Sequence, residues 1–301
     1  MRYRCITQTY TMKILRLSLL LFVCPFVFAC NSPHKKINLT SKVSLISNGV
    51  RIDYTDTGRG DTTLLFVHGW AINKTYWADQ VAYFGKRYRV VTIDLPGFGK
   101  SGKNRTKWNT AAYGQDIKNV MNQLGLKNVI LVGHSMAGSI VLQGAVDSPE
   151  NVIALVGVDN FKSVGIASAD SVKDKQEYAK VISAMKKNFK AVAFDWFNQG
   201  LFYKTTSKAI KVRILNDVAH TDSTIAIATQ EWDNFNDAAM LLKAKKKLFL
   251  INSDYQPTDT TGLVAKKIPY KLLIIHDTGH FPMVEKPQEF NKLLDQVIAG
   301  L

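Results

Sequence analysis

Gly133-His134-Ser135-Met136-Ala137-Gly138 stands between two segments of opposite character. Before it, Asn128-Val129-Ile130-Leu131-Val132 is an apolar run that reads as a fully buried strand. After it, Ser139 to Val146 reads as a helix with one apolar face. Strand, tight turn and helix, with Ser135 at the apex, form the context in which a serine hydroxyl is lifted clear of a sheet. Such a turn crowds its own backbone, so small residues are wanted two before and two after the serine. Gly133 and Ala137 hold those places. Glycine is usual at the second, so Ala137 predicts a slightly wider turn. A serine on a strand–helix turn does no chemistry alone, and its partners have to be found elsewhere.

Working outward, strands alternate with helices. Val43–Ile46 and Arg51–Tyr54 flank Asn48-Gly49, a hairpin signal. Thr63–Val67 is unbroken and apolar, as a central parallel strand covered on both faces should be. Thr75–Phe84 reads as a helix and Arg89–Ile93 as the next strand. Trp108–Leu124 reads as a helix capped by Asn109 or Thr110 and stopped by Gly125. Asn151–Val158 is the strand after the serine turn. Strands separated by helices argue for right-handed crossovers and a mostly parallel α/β sheet.

Four motifs then stand in order: His68-Gly69 after a strand, Asp94-x-Pro96-Gly97-x-Gly99-x-Ser101, Gly133-x-Ser135, and Gly279-His280-Phe281-Pro282-Met283-x-Glu285-x-Pro287. Together they resemble the α/β-hydrolase superfamily, in particular its esterase, peroxidase-like and prolyl-iminopeptidase-like branches. The resemblance covers roughly Val43 to Leu301, with a less recognisable middle. It implies a mostly parallel eight-stranded sheet with helices on both faces and an inserted helical lid. The implied division is a core of residues 43–160 and 247–301, and a lid over 161–246.

Ser135 is a poor nucleophile until a base lies within hydrogen-bond reach. His280 is the candidate, on a loop after the strand Leu272–Ile275 with Gly279 beside it. An oxyanion hole needs two backbone N–H groups. The resemblance implies those of Met136, after the nucleophile, and Trp70, in the loop after the Thr63–Val67 strand. The acid that orients the histidine is less plain. The family usually sets it after the strand before the histidine strand, here Lys247–Ile251. Laid on that pattern, Gln256 occupies the aspartate's place, and Asp254 falls two residues early. Some branches place the acid after the strand that follows the elbow helix, where Asp159 ends the run Leu155–Val158. Asp159 is the favoured acid, Asp254 the alternative, with Asp259 or no acid remaining open.

Residues 1–30 read as a signal segment: Arg2, Arg4, Lys13 and Arg16, then an apolar run ending in Val27-Phe28-Ala29-Cys30. The run Leu19–Ala29 is short against the ~20 residues of a bilayer span. The segment resembles a bacterial lipoprotein signal, which implies Cys30 as a lipidated N-terminus and export to a membrane facing the periplasm or cell exterior. Met12 opens a tidier signal, so translation from Met1 or Met12 stays open. Residues 31–42 read as a polar tether. The 3 cysteines, Cys5, Cys24 and Cys30, all fall in the signal. The remaining domain therefore has no disulfide, cysteine nucleophile or thiolate metal site.

The net charge is +15, from 39 Lys+Arg against 24 Asp+Glu. Such a surface favours anionic lipid or polyanions, but no nucleic-acid motif accompanies it. The expected partner is a small acyl substrate, with no nucleic acid, no cofactor and no metal, and with membrane contact only through the lipidated N-terminus. The function implied is a serine hydrolase cleaving a small ester, thioester or amide through an acyl-enzyme. Two alternatives are a non-catalytic lipid-anchored binding protein and a proline-iminopeptidase-like enzyme. The latter would use lid acids such as Asp195, Glu231, Asp233 or Asp237 to hold an amine.

Overall fold

A computed structural model describes residues 44–166, 171–231 and 233–301. The signal segment 1–30, Cys30 and the tether 31–42 lie outside the described residues. Asn48 and Gly49 both have positive φ, 47° and 79°, as a two-residue hairpin turn of this hand requires. They join β1 (Leu45–Ser47) to β2 (Val50–Ile52) in an antiparallel pair.

The main sheet comprises β3 (Tyr54–Asp56), β4 (Thr63–Val67), β5 (Arg89–Ile93), β6 (Val129–His134), β7 (Val152–Val158), β8 (Lys247–Ser253) and β9 (Tyr270–Ile275). Their order is β3-β5-β4-β6-β7-β8-β9. Only β3 runs against its neighbour. The described sheet thus has seven strands where eight were expected, and the reason is local. After β2 the chain leaves the hairpin at Asp53, whose carbonyl accepts the Asp94 N–H at 2.8 Å. Only then does it enter the sheet as β3. The hairpin is tied instead to α2 (Thr110–Gln123), which follows α1 (Ala78–Phe84). Gln123 bonds both backbone groups of Ile46, and Ser47 Oγ donates to the buried Asp116 at 2.5 Å.

α2 begins on the Asn109 cap, which accepts from Ala112 N at 3.0 Å. It packs against α3 (Ala137–Asp147), the crossover from β6 to β7. β4 and β6 are buried at every residue. At about 1.5–3 kcal/mol for each large aliphatic side chain taken from water, these two strands anchor the sheet.

Between β7 and β8 lie α4 (Ser171–Lys187), α5 (Phe189–Trp196), a π-helical turn Phe197–Leu201, α6 (Lys208–His220), α7 (Ser223–Ala228) and α8 (Asp237–Ala244). α5, α6, α7 and α8 each start on a side-chain cap, Asn188, Ser207, Asp222 and Asn236 respectively. α8 packs on α3, and Ser139 Oγ donates to Asp237 at 2.7 Å. α8, although inside the 161–246 span, therefore lies against a helix of the sheet's own crossover and leads into β8. α9 (Thr261–Ala265) links β8 to β9. α10 (Pro282–Glu285) and α11 (Pro287–Ala299) follow, and α11 packs against α1. No helix among the described residues is long and apolar enough to cross a membrane.

Candidate active site

The direction of chain progression reverses at β4, with β5 on one side and β6 on the other. Loops from the carboxyl ends of strands around such a reversal form the usual crevice of an open α/β sheet. β6 ends in His134, and Ser135 follows with φ 53°. The Ser135 N–H continues the ladder onto Val158 O at 3.0 Å. A side chain at Gly133 would collide with the Ala137 carbonyl oxygen, so the turn is tight despite Ala137. Asn160 Nδ2 donates to the carbonyls of Gly133, at 2.8 Å, and Ser135, at 3.2 Å, pinning the bend from the next strand end.

Three side chains meet above this edge. Ser135 Oγ lies 2.7 Å from His280 Nε2, and His280 Nδ1 lies 2.5 Å from Asp159 Oδ2. Asp159 is buried, and its N–H bonds Ile251 O at 3.1 Å. Its other oxygen, Oδ1, accepts from Ser253 N (3.0 Å), Ser253 Oγ (2.7 Å) and Lys162 Nζ (2.9 Å). Burial pushes the Asp159 carboxyl up. The hydrogen bond and charge of His280, with Lys162 behind, outweigh it and hold the group well below the usual carboxylate range. The Tyr255 hydroxyl hydrogen-bonds Asp159 and lies 3.3 Å from His280 Nδ1. Burial, then Asp159, pushes this phenol far up, so it stays protonated.

The structure does not bring Asp254 to His280. Asp254 Oδ2 pairs with His276 Nδ1 at 2.7 Å, in the open. Asp259 takes the Thr261 hydroxyl and N–H.

The His280 peptide is clamped on every side. Its N–H donates to Leu201 O at 2.8 Å. Its carbonyl accepts from His134 Nε2 at 2.7 Å. The Glu285 carboxylate accepts from Gly279 N and Phe281 N on either side, and from Thr206 Oγ1 at 2.6 Å. Burial, with His280 close by, drives the His134 ring down to about 3, so it serves as a neutral donor. His68 is likewise pushed down by burial. Its Nδ1 donates to Gly69 O at 2.7 Å and its Nε2 accepts from Leu95 N at 2.9 Å.

The loop after β4 reaches the elbow through Gly69. A Cβ there would stand 2.6 Å from His134 Nδ1 and 3.1 Å from Ser135 Cβ. Trp70 comes next, its indole N–H fixed to Ala226 O at 2.8 Å, and Ala71 bends away with φ 56°. Among the described residues, neither the Trp70 nor the Met136 backbone N–H is taken by another group. Trp70 packs among Phe189, Trp196 and Phe197 of the insertion. A pocket of about 360 Å³ opens beside Met136, walled by Trp108, Tyr113 and Ile140 and rimmed by Glu231 and Asp233. Among the described residues, no group of three or more His, Cys, Asp or Glu could hold a metal ion.

Residues 62–287 match the family model described as the alpha/beta hydrolase fold. The chain belongs to the alpha/beta hydrolase fold family. It is 25% identical over 267 residues to a dihydrolipoyllysine-residue acetyltransferase component of the acetoin cleaving system of Cupriavidus necator, spanning 84% of this chain and 68% of that protein. It is 38% identical over 109 residues to a 2-hydroxy-6-oxononadienedioate/2-hydroxy-6-oxononatrienedioate hydrolase of a Pseudomonas species. That match spans 35% of this chain and 38% of the relative's length. Among solved structures, a thermophilic esterase from Thermogutta terrifontis superposes with a TM-score of 0.74 at 19% identity, over 87% of this chain and 99% of the esterase.

Lys162, Ser253, Tyr255, Asn160 and Glu285 were not picked out from sequence. Glu285 lay within a quoted motif. Ser253, Tyr255 and Asn160 carry no local signal because each acts on a residue from another strand end, and Lys162 reaches Asp159, three residues before it, through a bend that the sequence does not announce.

Proposed function

We propose that this chain is a serine hydrolase acting on a small carboxylic ester, thioester or amide through an acyl-enzyme. One observation carries the reading: a buried aspartate, an imidazole and a half-buried serine hydroxyl stand in hydrogen-bonded line at the carboxyl edge of the sheet. Ser135 Oγ attacks the acyl carbon while its proton passes to His280 Nε2. Asp159 stays ionised, holds Nδ1–H and stabilises the imidazolium. The free N–H groups of Trp70 and Met136 receive the oxyanion. His280 then returns the proton to the leaving group, and a water activated by the same ring releases the acid.

The family membership and the esterase and hydrolase names among similar proteins support hydrolysis. The aminopeptidase alternative is less well supported. Glu231 already pairs with Lys186 at 2.9 Å, and Asp233 already accepts from Thr110 N at 2.8 Å. Neither carboxylate stands ready for a substrate ammonium.

A fluorophosphonate probe tests the reading. It should form an adduct on Ser135 in the native chain and none in Ser135→Ala. A native chain that resists the probe and is inert on an ester panel leaves only the binding-protein alternative. Export and anchoring through Cys30 belong to the same proposal. Mass spectrometry of the membrane-extracted protein should find Cys30 as an acylated N-terminus; an intact residue 1–30 segment would replace the lipid anchor by an uncleaved one, and a cleaved, unacylated N-terminus would leave a plain secretory peptide.

A further inference from the structure

We propose that Lys162 is a positioning residue for the reaction: its ammonium, seated on the far oxygen of Asp159, sets the pH at which His280 is free to act as a base. The proposal rests on the serine-hydrolase reading above. Lys162 lies three residues after Asp159, across a bend in which Asp159 and Phe161 both take positive φ, 47° and 52°. That bend turns the lysine back over its own aspartate. Its Nζ is 2.9 Å from Asp159 Oδ1, 2.9 Å from Gln256 O and 4.5 Å from the centre of the Tyr255 ring. Its side chain is only 18% exposed.

The aspartate is therefore shared. One oxygen faces the imidazole, and the other faces a full positive charge. A carboxylate stabilises an imidazolium through its negative charge, and a cation bound behind it cancels part of that field. With Lys162 in place, less of the Asp159 field is left to hold the imidazolium. The ammonium also keeps Asp159 ionised and ties the loop after β7 to the loop after β8. Its carbonyl acceptor Gln256 sits beside Tyr255, whose hydroxyl reaches the same aspartate.

The other groups facing His280 do not replace this charge. His134, from β6, is neutral, with burial driving it down to about 3. Tyr255, from the loop after β8, is a protonated phenol. Glu285, from α10, is engaged with the N–H groups of Gly279 and Phe281 and with Thr206.

The test is an NMR titration of the His280 ring in the native chain, Lys162→Met, Lys162→Gln and Lys162→Arg, which reads the ring whether or not a substrate is turned over. Removing the cation in Lys162→Met and Lys162→Gln should raise the protonation midpoint by roughly 0.5–1 pH unit, the screened end of the range for a neighbouring charge. Lys162→Arg should return it to the native position. Lys162→Gln keeps a hydrogen-bond donor and guards against a Met variant that folds poorly. A midpoint that stays put or falls in both neutral variants would overturn the proposal. Labelling Ser135 with the phosphonate probe on the same samples reports separately on the hydrolase reading.

Discussion

Two aspartate–histidine pairs lie at the same edge of the sheet, and they differ instructively. Asp159 meets His280 Nδ1 at 2.5 Å; Asp254 meets His276 Nδ1 at 2.7 Å. Both histidines belong to the segment after β9, four positions apart. The acids come from neighbouring strand ends. Yet the side chains of the first pair are 0% and 12% exposed, those of the second 41% and 67%. Beyond the first ring stands Ser135; among the described residues nothing bonds the far nitrogen of His276. An aspartate–imidazole bond is thus cheap to form and does not by itself make a base. Burial, which strengthens the field on the ring, and a hydroxyl in line with it make the difference.

Substitutions can break this comparison, beginning with the largest effect. Ser135→Ala should cut turnover by about 10⁴-fold or more, measured on whichever ester the native chain cleaves. Asp159→Asn should follow, at roughly 10³–10⁴-fold in kcat, because an amide leaves the ring in the wrong tautomer. Asp254→Asn, the matched change in the exposed pair, should alter kcat by less than about threefold, since exposed pairs contribute little. Equal losses from the two Asn variants would erase the distinction drawn here.

The smallest effect is on stability. His280 and Lys162 hold Asp159 below its ordinary value. The stability its ionisation contributes is therefore present above the unfolded value, about 3.9, and is lost only as pH falls through the depressed folded one. The difference in Tm between native chain and Asp159→Asn should be level from pH 7 to pH 9 and shrink only below about pH 4.

Strand register sets which aspartate meets His280. Val158 pairs with Ile251, so Asp159 emerges level with Asn252. β8 runs on two residues further, and Ser253 pairs with Ile275. Asp254 thus emerges level with His276, one step beyond β9, and short of the loop that carries His280. The sequence offered both acids but not the register that chooses between them. Unbroken apolar runs made β4, β6 and β7 legible, and the small residues around Ser135 made the elbow legible. The hairpin's separation from the sheet was not, because it turns on Asp53 and on contacts to α2. Nor was the packing of α8 on α3, since α8 has the same helical pattern as its neighbours. Tyr255 was silent for the same reason, since it acts on the adjacent strand end, and Lys162 because the bend that returns it to Asp159 leaves no mark in the sequence.

The latch on the His280 peptide has a consequence for anyone recombining this chain. Leu201 O, at the end of the π-helical turn, holds the His280 N–H, and Thr206 reaches Glu285 beneath it. α4, by contrast, buries only Ile182 and Met185. The inserted segment is two modules in one stretch of chain. Residues 171–187 bury little, so a change there should leave the histidine loop in place, whereas residues 197–206 are bonded to that loop and should move with it.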